Sequence, residues 1–240
     1  MQLYYIRHGQ SANNELWART GSSKGRSEDP ELTELGWQQA ERVAQFLSQS
    51  QAPYMPYGDE YEDAGQPGLT HIYCSLQVRS VATATRISQA LELPLVAWED
   101  LHEMGGIVRI DEETGQRVGR PGKDRTYFQA NYPDMMLPAT WLEGGWWNRP
   151  AEELEELPTR AQRVLRDLQE RHGQTQDRVG FVSHGGFYNY LLFTILATTR
   201  PENCWFVLNN AAITRIDFVE ENTRLVYLNR TDFLPKEMIT

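Results

Sequence analysis

Five polar residues that suit phosphate chemistry come after short apolar stretches, although they lie far apart in the sequence. They are Arg7, His8, Ser75, Arg79 and His184. Guanidinium groups bind phosphate oxygens through paired hydrogen bonds, and imidazole and loop N–H groups add further donors. If the fold brings these side chains together, the sequence predicts a pocket for a phosphoryl group.

Histidine in such a pocket can also react. A neutral imidazole is a competent nucleophile at pH 7, and water readily hydrolyses the phosphorus–nitrogen bond that it forms. The arginines offset the negative charge of the transferring group, which Mg²⁺ handles in other phosphoryl-transfer enzymes. No two histidines have the His-x-x-x-His or His-x-His spacing of a zinc site. The residues therefore predict phosphoryl chemistry without a metal or another cofactor.

The apolar pattern around these residues alternates between strands and helices. Short apolar runs predict strands, and apolar residues at helical spacing predict the helices between them. This alternation is typical of a three-layer α/β/α fold, with a mostly parallel central sheet and helices on both faces. The last two predicted strands are expected to form a hairpin at one side of the sheet. The predicted strands are residues 3–6, 71–75, 179–183, 212–218 and 224–228, and the predicted helices are residues 33–48, 81–91 and 186–198.

The predicted sheet explains how the separated polar residues meet. The carboxyl ends of parallel strands share one edge, and open α/β sheets bind ligands in the crevice beyond that edge. Neighbouring side chains of a regular strand point to opposite faces, so Arg7 and His8 both reach the crevice only where the chain leaves strand geometry. Gly9 permits that turn. We therefore expect one basic pocket at the carboxyl ends of the strands.

Length and composition limit the organisation of the chain. With 240 residues, of which 40% are hydrophobic, the chain is long enough to bury the core of one domain. Two segments interrupt the α/β pattern, at about residues 51–68 and 104–150, and both are expected to be insertions. The prediction is a single domain over residues 1–240 with two elaborated loops.

Charge and cysteine content disfavour several classes of protein. The formal net charge of −10 disfavours general nucleic-acid binding, so a phosphate site must be locally basic. Cys74 and Cys204 form neither a multi-bridge framework nor a metal-ligand pair, which indicates a reducing compartment. The densest apolar stretch, residues 191–197, is far shorter than the ~20 residues of a membrane-spanning helix, and the N-terminal pattern is unlike a signal peptide. We expect a cytoplasmic protein with no membrane or nucleic-acid partner.

Several segments resemble, in order, the motifs of a known family. They are Arg7-His8-Gly9-Gln10-Ser11 with Asn14, Leu32-Thr33-x-x-Gly36-x-x-Gln39-Ala40, Ser75-x-x-x-Arg79-x-x-x-Thr83-Ala84, Glu103, Ser183-His184-Gly185-Gly186 and residues 209–214. Together they resemble the histidine phosphatase superfamily, the phosphoglycerate mutase-like proteins, over residues 1 to about 215. Ordered motifs at predicted strand ends are a more specific signal than an isolated Arg-His-Gly. The resemblance implies the phosphoglycerate mutase-like fold.

The resemblance also implies an activity and a role for each matching residue. It implies a metal-independent phosphomonoester hydrolase in which His8 attacks phosphorus and becomes phosphohistidine. Glu103 is implied as the general acid that protonates the leaving oxygen and as the base that then activates water. The substrate is expected to be a small phosphorylated metabolite. The residues implied to hold the phosphoryl oxygens or to line the pocket are Arg7, Arg79, His184, Asn14, Gln10, Ser11 and Gly185.

Departures from the family's pattern leave two other activities open. Gln10 stands where the mutase subgroup carries glutamate, and residues 104–150 do not align with the substrate-binding segment of the mutases. A hydrolase needs only water access to the phosphorylated histidine, so hydrolysis is favoured over phosphoglycerate mutase-type phosphoryl transfer. A non-catalytic protein that binds phosphorylated ligands is disfavoured, because every residue of the implied machinery is present.

Three other features have both a functional and a structural interpretation. Residues 21–25 match the Gly-x-Ser-x-Gly motif of serine hydrolases, but no apolar strand leads into them, so a polar loop beside the pocket is favoured. His102 is expected to face away from Glu103 and to be structural. The functional interpretation of Trp141, Trp146 and Trp147 is an aromatic lid over the substrate. Their structural interpretation, packing of the insertion onto the core, is favoured.

Overall fold

The computed structural model describes residues 1–49, 68–111 and 113–240, and its centre is a seven-stranded sheet. The strand order is β6-β3-β2-β7-β1-β8-β9. All neighbouring pairs from β6 to β1 are parallel, whereas β8 and β9 form an antiparallel hairpin beside β1. The strands of this sheet are β1 (Gln2–Arg7), β2 (His71–Cys74), β3 (Leu95–Ala97), β6 (Met135–Met136), β7 (Arg178–Ser183), β8 (Ile213–Val219) and β9 (Asn222–Arg230). A separate hairpin consists of β4 (Val108–Ile110) and β5 (Arg117–Gly119).

Helices cover both faces of the sheet. Residues 3–6 of β1 are buried and point alternately to opposite faces: Tyr4 and Ile6 pack with residues from the segments 43–47 and 81–87, whereas Leu3 and Tyr5 pack with residues from the segments 157–168 and 187–195. A strand buried on both faces reads as a continuous apolar run, which is why residues 3–6 are recognisable in the sequence. The helices are α1 (Ala12–Thr20), α2 (Glu34–Ser48), α3 (Val78–Leu91), α4 (Arg125–Asn131), α5 (Leu157–His172) and α6 (Gly185–Ile195). The predicted three-layer α/β/α fold is confirmed.

Boundaries of several predicted elements shift, and some elements are new. The helix predicted at 81–91 begins three residues earlier at Val78, and the helix predicted at 186–198 ends at Ile195. Neither α1 nor the short strands β3 and β6 are predicted from the sequence. Residues 104–150 contain β4, β5, α4 and β6, and β6 extends the main sheet at its edge. The other predicted insertion, residues 51–68, lies outside the described residues except for Gly68.

None of the helices in the described ranges is long and apolar enough to cross a lipid bilayer.

The loop after β1 crosses the start of α2 at two glycines. A Cβ atom on Gly36 would overlap the carbonyl oxygen of Gln10, and a Cβ atom on Gly9 would overlap the carbonyl oxygen of Gly36. Two further bonds hold the crossing: Gln39 Oε1 accepts the N–H of Gln10 at 2.6 Å, and the Gln10 carbonyl accepts the N–H of Thr33 at 2.9 Å. The close backbone approach therefore fixes the loop that follows the first strand.

Gly36→Ala is expected to destabilise the protein, because the added methyl group must push two backbone segments apart. Overpacking of this kind costs about 1–3 kcal/mol of the free energy of unfolding. Urea unfolding measures the change. Gln38→Ala, at an exposed position of the same helix, is the matched control. Equal stability of Gly36→Ala and wild type would contradict a tight crossing.

Candidate active site

The predicted polar residues converge at the carboxyl ends of three neighbouring strands. Arg7 ends β1, Ser75 follows β2 and His184 follows β7, while Arg79 lies in the first turn of α3. The ring centroids of His8 and His184 are 5.1 Å apart. Arg79 Nε donates to His8 Nε2 at 3.2 Å. The fold thus gathers two histidines and two arginines at one point of the sheet edge.

His8 is held as a neutral imidazole whose Nε2 atom carries no proton and accepts the hydrogen bond from Arg79. Its Nδ1–H donates to the carbonyl oxygen of Gly9 at 2.6 Å, so the other ring nitrogen, Nε2, has no proton. The side chain is buried, and burial together with the charges of Arg79 and Arg7 holds the pKa of His8 well below its ordinary value of 6.5. At pH 7 the Nε2 atom of His8 is therefore a nucleophile.

His184 is also neutral and presents a ring N–H beside His8. Burial, and then the charge of Arg79, lowers its pKa well below 6.5. The hydroxyl oxygen of Ser75 accepts the backbone N–H of Gln77 at 3.1 Å, and this hydroxyl lies 2.8 Å from His184 Nε2. We assign the Ser75 proton to the hydrogen bond with Nε2, since the hydroxyl oxygen already accepts one N–H. In this assignment the ring hydrogen of His184 sits on Nδ1.

Three buried nitrogen donors around His8 have no hydrogen-bond partner within the described part of the chain. Roughly 90% or more of buried polar groups in native proteins are satisfied, so a cluster of unpaired donors needs an explanation. All three can donate to an anionic oxygen, and they belong to the residue before His8, to the arginine that hydrogen-bonds to His8 and to the histidine beside it. A phosphoryl group has the oxygens that such donors bind. They are Arg7 Nε, Arg79 NH1 and His184 Nδ1.

Glu103 lies at the N-terminus of α6, at the same edge of the sheet as His184 and the residues around His8. Its Oε1 accepts the N–H groups of Met104 and Phe187, each at 2.9 Å, and its Oε2 accepts the N–H of Gly186 at 3.1 Å. Burial lowers the pKa of both Arg7 and Arg79, and the charge of the Glu103 carboxylate partly opposes this shift at each guanidinium group. The sequence-predicted acid is thus positioned at the arginine pair.

The family profile described as "Histidine phosphatase superfamily (branch 1)" matches residues 3–57 and 62–231. The chain belongs to this superfamily. The matched ranges contain His8, Arg79, Glu103 and His184, so the residues of the pocket lie inside the family match. The chain is accordingly a phosphatase.

Curated relatives and solved structures resemble this histidine phosphatase over nearly its whole length. "Putative phosphoserine phosphatase 2" of Hydrogenobacter thermophilus is 30% identical over 238 residues, which cover 95% of each chain. "Probable phosphoglycerate mutase GpmB" of Yersinia pestis is 27% identical over 220 residues, covering 92% of this chain and 86% of that one. A crystal structure of phosphoserine phosphatase from Entamoeba histolytica with 3-phosphoglyceric acid has a TM-score of 0.61 at 22% identity, with 98% and 99% coverage. That likeness confirms the fold.

Three residues expected to line the pocket of this histidine phosphatase use their side-chain oxygens to build the loop behind it. Ser11 caps α1, and its hydroxyl donates to Asn14 Oδ1 at 2.9 Å. Asn14 Oδ1 also accepts the N–H of Ser11, which leaves the Asn14 amide nitrogen to donate elsewhere. Gln10 Oε1 accepts the hydroxyl of Thr33 at 2.8 Å. A direct contact of these residues with substrate stays a prediction.

Gly185 begins α6 and lies against Arg7. A Cβ atom there would be 3.5 Å from Arg7 Nε, which is an ordinary contact distance. The adjacent Gly186 is more restricted, because its Cβ atom would overlap Glu103 Oε1. A side chain at position 186 would therefore displace the carboxylate of this histidine phosphatase, whereas position 185 places backbone near the arginine.

The structure settles the alternative interpretations of the other motifs. Residues 21–25 follow helix α1 rather than a strand, so the serine-hydrolase interpretation is wrong. Trp146 and Trp147 are each only 2% exposed and pack in the core, which confirms packing over a lid for these two. His102 is buried, its Nδ1–H donates to the Glu103 carbonyl at 2.8 Å, and its ring contacts Trp147 edge-on. The structural interpretation of His102 is confirmed.

Among the described residues, one His/Asp group has atoms close enough to hold a metal ion. The ligand atoms of His71, His172 and Asp177 lie within 4.8 Å of one another. Asp177 accepts the Nδ1–H of His172 at 2.8 Å, and Tyr73 lies 3.0 Å from the other ring nitrogen of His172. These residues sit at the amino ends of β2 and β7, opposite the pocket. His172 and Asp177 are joined by a hydrogen bond, and His71 Nδ1 lies 3.9 Å from Asp177 Oδ1. The group is separate from the phosphatase site.

Sequence reasoning missed Asp29, a carboxylate beside the arginine pair. Its side chain is 5% exposed, and its Oδ1 lies 3.6 Å from Arg79 NH1. Asp29 belongs to the polar segment between α1 and α2, where solvated acids are common. No pattern in the sequence distinguishes it from its exposed neighbour Glu28.

Proposed function

We propose that this phosphatase hydrolyses small phosphomonoesters through a phosphohistidine on His8, without a metal ion. One observation carries the proposal: the Nε2 atom of His8 is unprotonated, and its neighbours Arg7, Arg79 and His184 each have a buried nitrogen without a hydrogen-bond partner among the described residues. These donors bind the equatorial oxygens and offset the charge that develops on them in the transition state. The pocket therefore supplies both the nucleophile and the electrostatic stabilisation.

The first step transfers the phosphoryl group to the enzyme. His8 Nε2 forms a bond to phosphorus while the bond from phosphorus to the ester oxygen breaks. Glu103 gives its proton to the departing oxygen, which leaves as an alcohol. Oε2 is the atom suited to carry this proton, because it accepts one backbone N–H whereas Oε1 accepts two. The product of this step is phosphohistidine with an ionised Glu103.

The second step regenerates the enzyme. A water molecule attacks phosphorus and gives a proton to Glu103, and the phosphorus–nitrogen bond breaks. The electron pair of that bond returns to His8 Nε2, and inorganic phosphate leaves. The Nδ1–H bond from His8 to the Gly9 carbonyl persists throughout, so the same nitrogen is the nucleophile in each cycle.

The substrate we propose is a small phosphorylated metabolite, with phosphoserine as the first candidate. The relative of 30% identity bears the name of a phosphoserine phosphatase, and the Entamoeba structure of the same fold contains 3-phosphoglyceric acid. Both compounds are phosphate esters of small carboxylic acids. The net charge of −10 does not oppose such an anion, because the Arg7 and Arg79 guanidinium groups make the pocket itself basic.

Phosphate release from a panel of esters in EDTA tests the proposed function. The panel contains phosphoserine, 3-phosphoglycerate, a sugar phosphate and an aryl phosphate. We expect release from at least one ester at an undiminished rate in EDTA, with phosphoserine or 3-phosphoglycerate preferred. Activity that EDTA removes and Mg²⁺ restores would contradict metal-independent catalysis.

Mutase activity is the second candidate, because a relative of 27% identity carries a phosphoglycerate mutase name. A mutase passes its phosphoryl group to a second hydroxyl before water attacks. Conversion of 3- to 2-phosphoglycerate, with the bisphosphate primer added, distinguishes the two activities. We expect phosphate release to exceed this conversion, and the opposite ratio would assign the mutase function.

The cysteines support a cytoplasmic location, which we propose with the function. Cys74 and Cys204 are both free thiols, and Cys74 is fully buried. Burial raises the pKa of the Cys74 thiol far above its ordinary value, so this thiol is unreactive.

A further inference from the structure

Asp29 reaches the pocket from the polar segment between α1 and α2. Its Oδ1 accepts the backbone N–H of Val78 at 3.1 Å. Val78 is the first residue of α3, and the preceding residue, Gln77, gives that helix no side-chain cap. A carboxylate from another segment therefore completes the helix N-terminus, where negative charge is favoured.

The same carboxylate faces the side chain of Arg79 one residue further along α3. Asp29 Oδ1 and Arg79 NH1 are 3.6 Å apart, and both side chains are at most 8% exposed. Asp29 Oδ2 and Arg79 NH1 are both buried without a hydrogen-bond partner among the described residues. On its other side, Arg79 donates from Nε to His8 Nε2. The guanidinium thus lies between a carboxylate and the nucleophile.

We propose that Asp29 is a positioning residue, whose charge holds the Arg79 guanidinium at the orientation in which it binds the transferring phosphoryl group. The Arg79 side chain faces Asp29 in this way, whereas Arg7 NH1 donates to the Leu208 carbonyl. The inference rests on the proposed role of Arg79. It adds a residue that touches neither the substrate nor His8.

The proposal predicts that activity depends on pH, because the charge of Asp29 does. Burial raises the pKa of Asp29 to about 7, and Arg79, the Val78 N–H and Lys123 oppose this shift while Glu28 adds to it. Below that pH the carboxyl is mostly protonated and holds Arg79 less firmly. Activity should therefore fall as pH decreases through about 7.

Asp29→Asn tests the proposal, because the amide oxygen can still accept the Val78 N–H while the charge is lost. A misplaced catalytic group costs up to roughly 100-fold in rate, so we expect kcat to fall by about 10- to 100-fold and KM to change less. The acidic limb near pH 7 should disappear from the kcat profile. Glu28→Gln removes the adjacent charge, which pairs with Arg120 at the surface, and should keep wild-type activity.

Two comparisons make each outcome decisive. Arg79→Lys, measured in parallel, separates the positioning role of Asp29 from the phosphate-binding role of Arg79. A large loss of kcat in Arg79→Lys with normal kcat in Asp29→Asn overturns the role of Asp29. Normal kcat in both variants contradicts the proposed pocket. The second comparison uses the wild-type protein and so does not depend on the folding of a variant: the pH profile of kcat is measured with two substrates whose phosphate groups have different pKa values. An acidic limb that stays near pH 7 with both substrates supports the proposal. An acidic limb that shifts with the pKa of the substrate overturns it.

Discussion

His8→Ala is expected to abolish both turnover and phosphoenzyme formation. The substitution removes the nitrogen that bonds to phosphorus, and in the tautomer assigned to His184 no other described side chain of the pocket has an unprotonated nitrogen in its place. Removal of a covalent nucleophile costs on the order of 10⁴-fold or more in kcat, as the loss of serine-protease nucleophiles shows. Phosphate release and acid-quench trapping of radiolabelled phosphoenzyme measure the two effects.

Two controls protect this result from simpler explanations. His71→Ala removes a half-exposed histidine at the opposite end of the sheet and should retain full activity and labelling. Because Arg79 Nε loses its acceptor in His8→Ala, thermal unfolding must show that the variant is folded. Substantial phosphate release by a folded His8→Ala protein would remove His8 as the nucleophile.

Glu103→Gln is expected to have the second largest effect, and the effect should depend on the leaving group. An alkyl oxygen needs a proton as it departs, whereas an aryl oxide leaves without one, and general acid catalysis contributes about 10²- to 10⁴-fold. Phosphoenzyme formation from phosphoserine should therefore slow by about that factor, while formation from an aryl phosphate should remain near the wild-type rate. Rapid-quench measurement of the first turnover gives these rates directly.

The later step provides a second signature of Glu103. The amide cannot accept a proton from water, so the phosphoenzyme formed from the aryl phosphate should accumulate as a burst before slow release. Glu99→Gln is the matched control, because Glu99 lies four residues earlier and pairs with Arg149 away from the pocket. Equal slowing of phosphoenzyme formation from both substrates would show that Glu103 is not the proton donor.

The strands that carry the site were predictable from the sequence, and the smaller elements were not. β1 and β7 are buried on both faces, so they appear as apolar runs, and the polar residues that follow them mark the sheet edge. β3 has three residues and β6 has two, which is too short to show any periodicity. In α1 only Asn13 is buried, so this helix has no apolar stripe to reveal it.

The pocket shows the same division between local and tertiary signals. Arg7, His8 and His184 follow strands, and the topology of a parallel sheet alone brings them together. Asp29 has no such signal, because its burial depends on the positions of Val78 and Arg79, about fifty residues away in the chain. Likewise, the side-chain oxygens of Ser11 and Gln10 are engaged by partners that only the folded loop provides.

The hydrogen bond from Arg79 to His8 gives the resting enzyme a form of chemical protection. The reactive nitrogen is buried and accepts a hydrogen bond from Arg79 Nε, so an electrophile reaches its lone pair only after that N–H has found another acceptor. The anionic oxygens of a phosphoryl group can accept this N–H while the guanidinium stays beside Asp29, whereas an uncharged electrophile offers a weaker acceptor. The substrate's own charge therefore uncovers the nucleophile, and discrimination against neutral alkylating or acylating compounds is built into the resting state, before any bond is made.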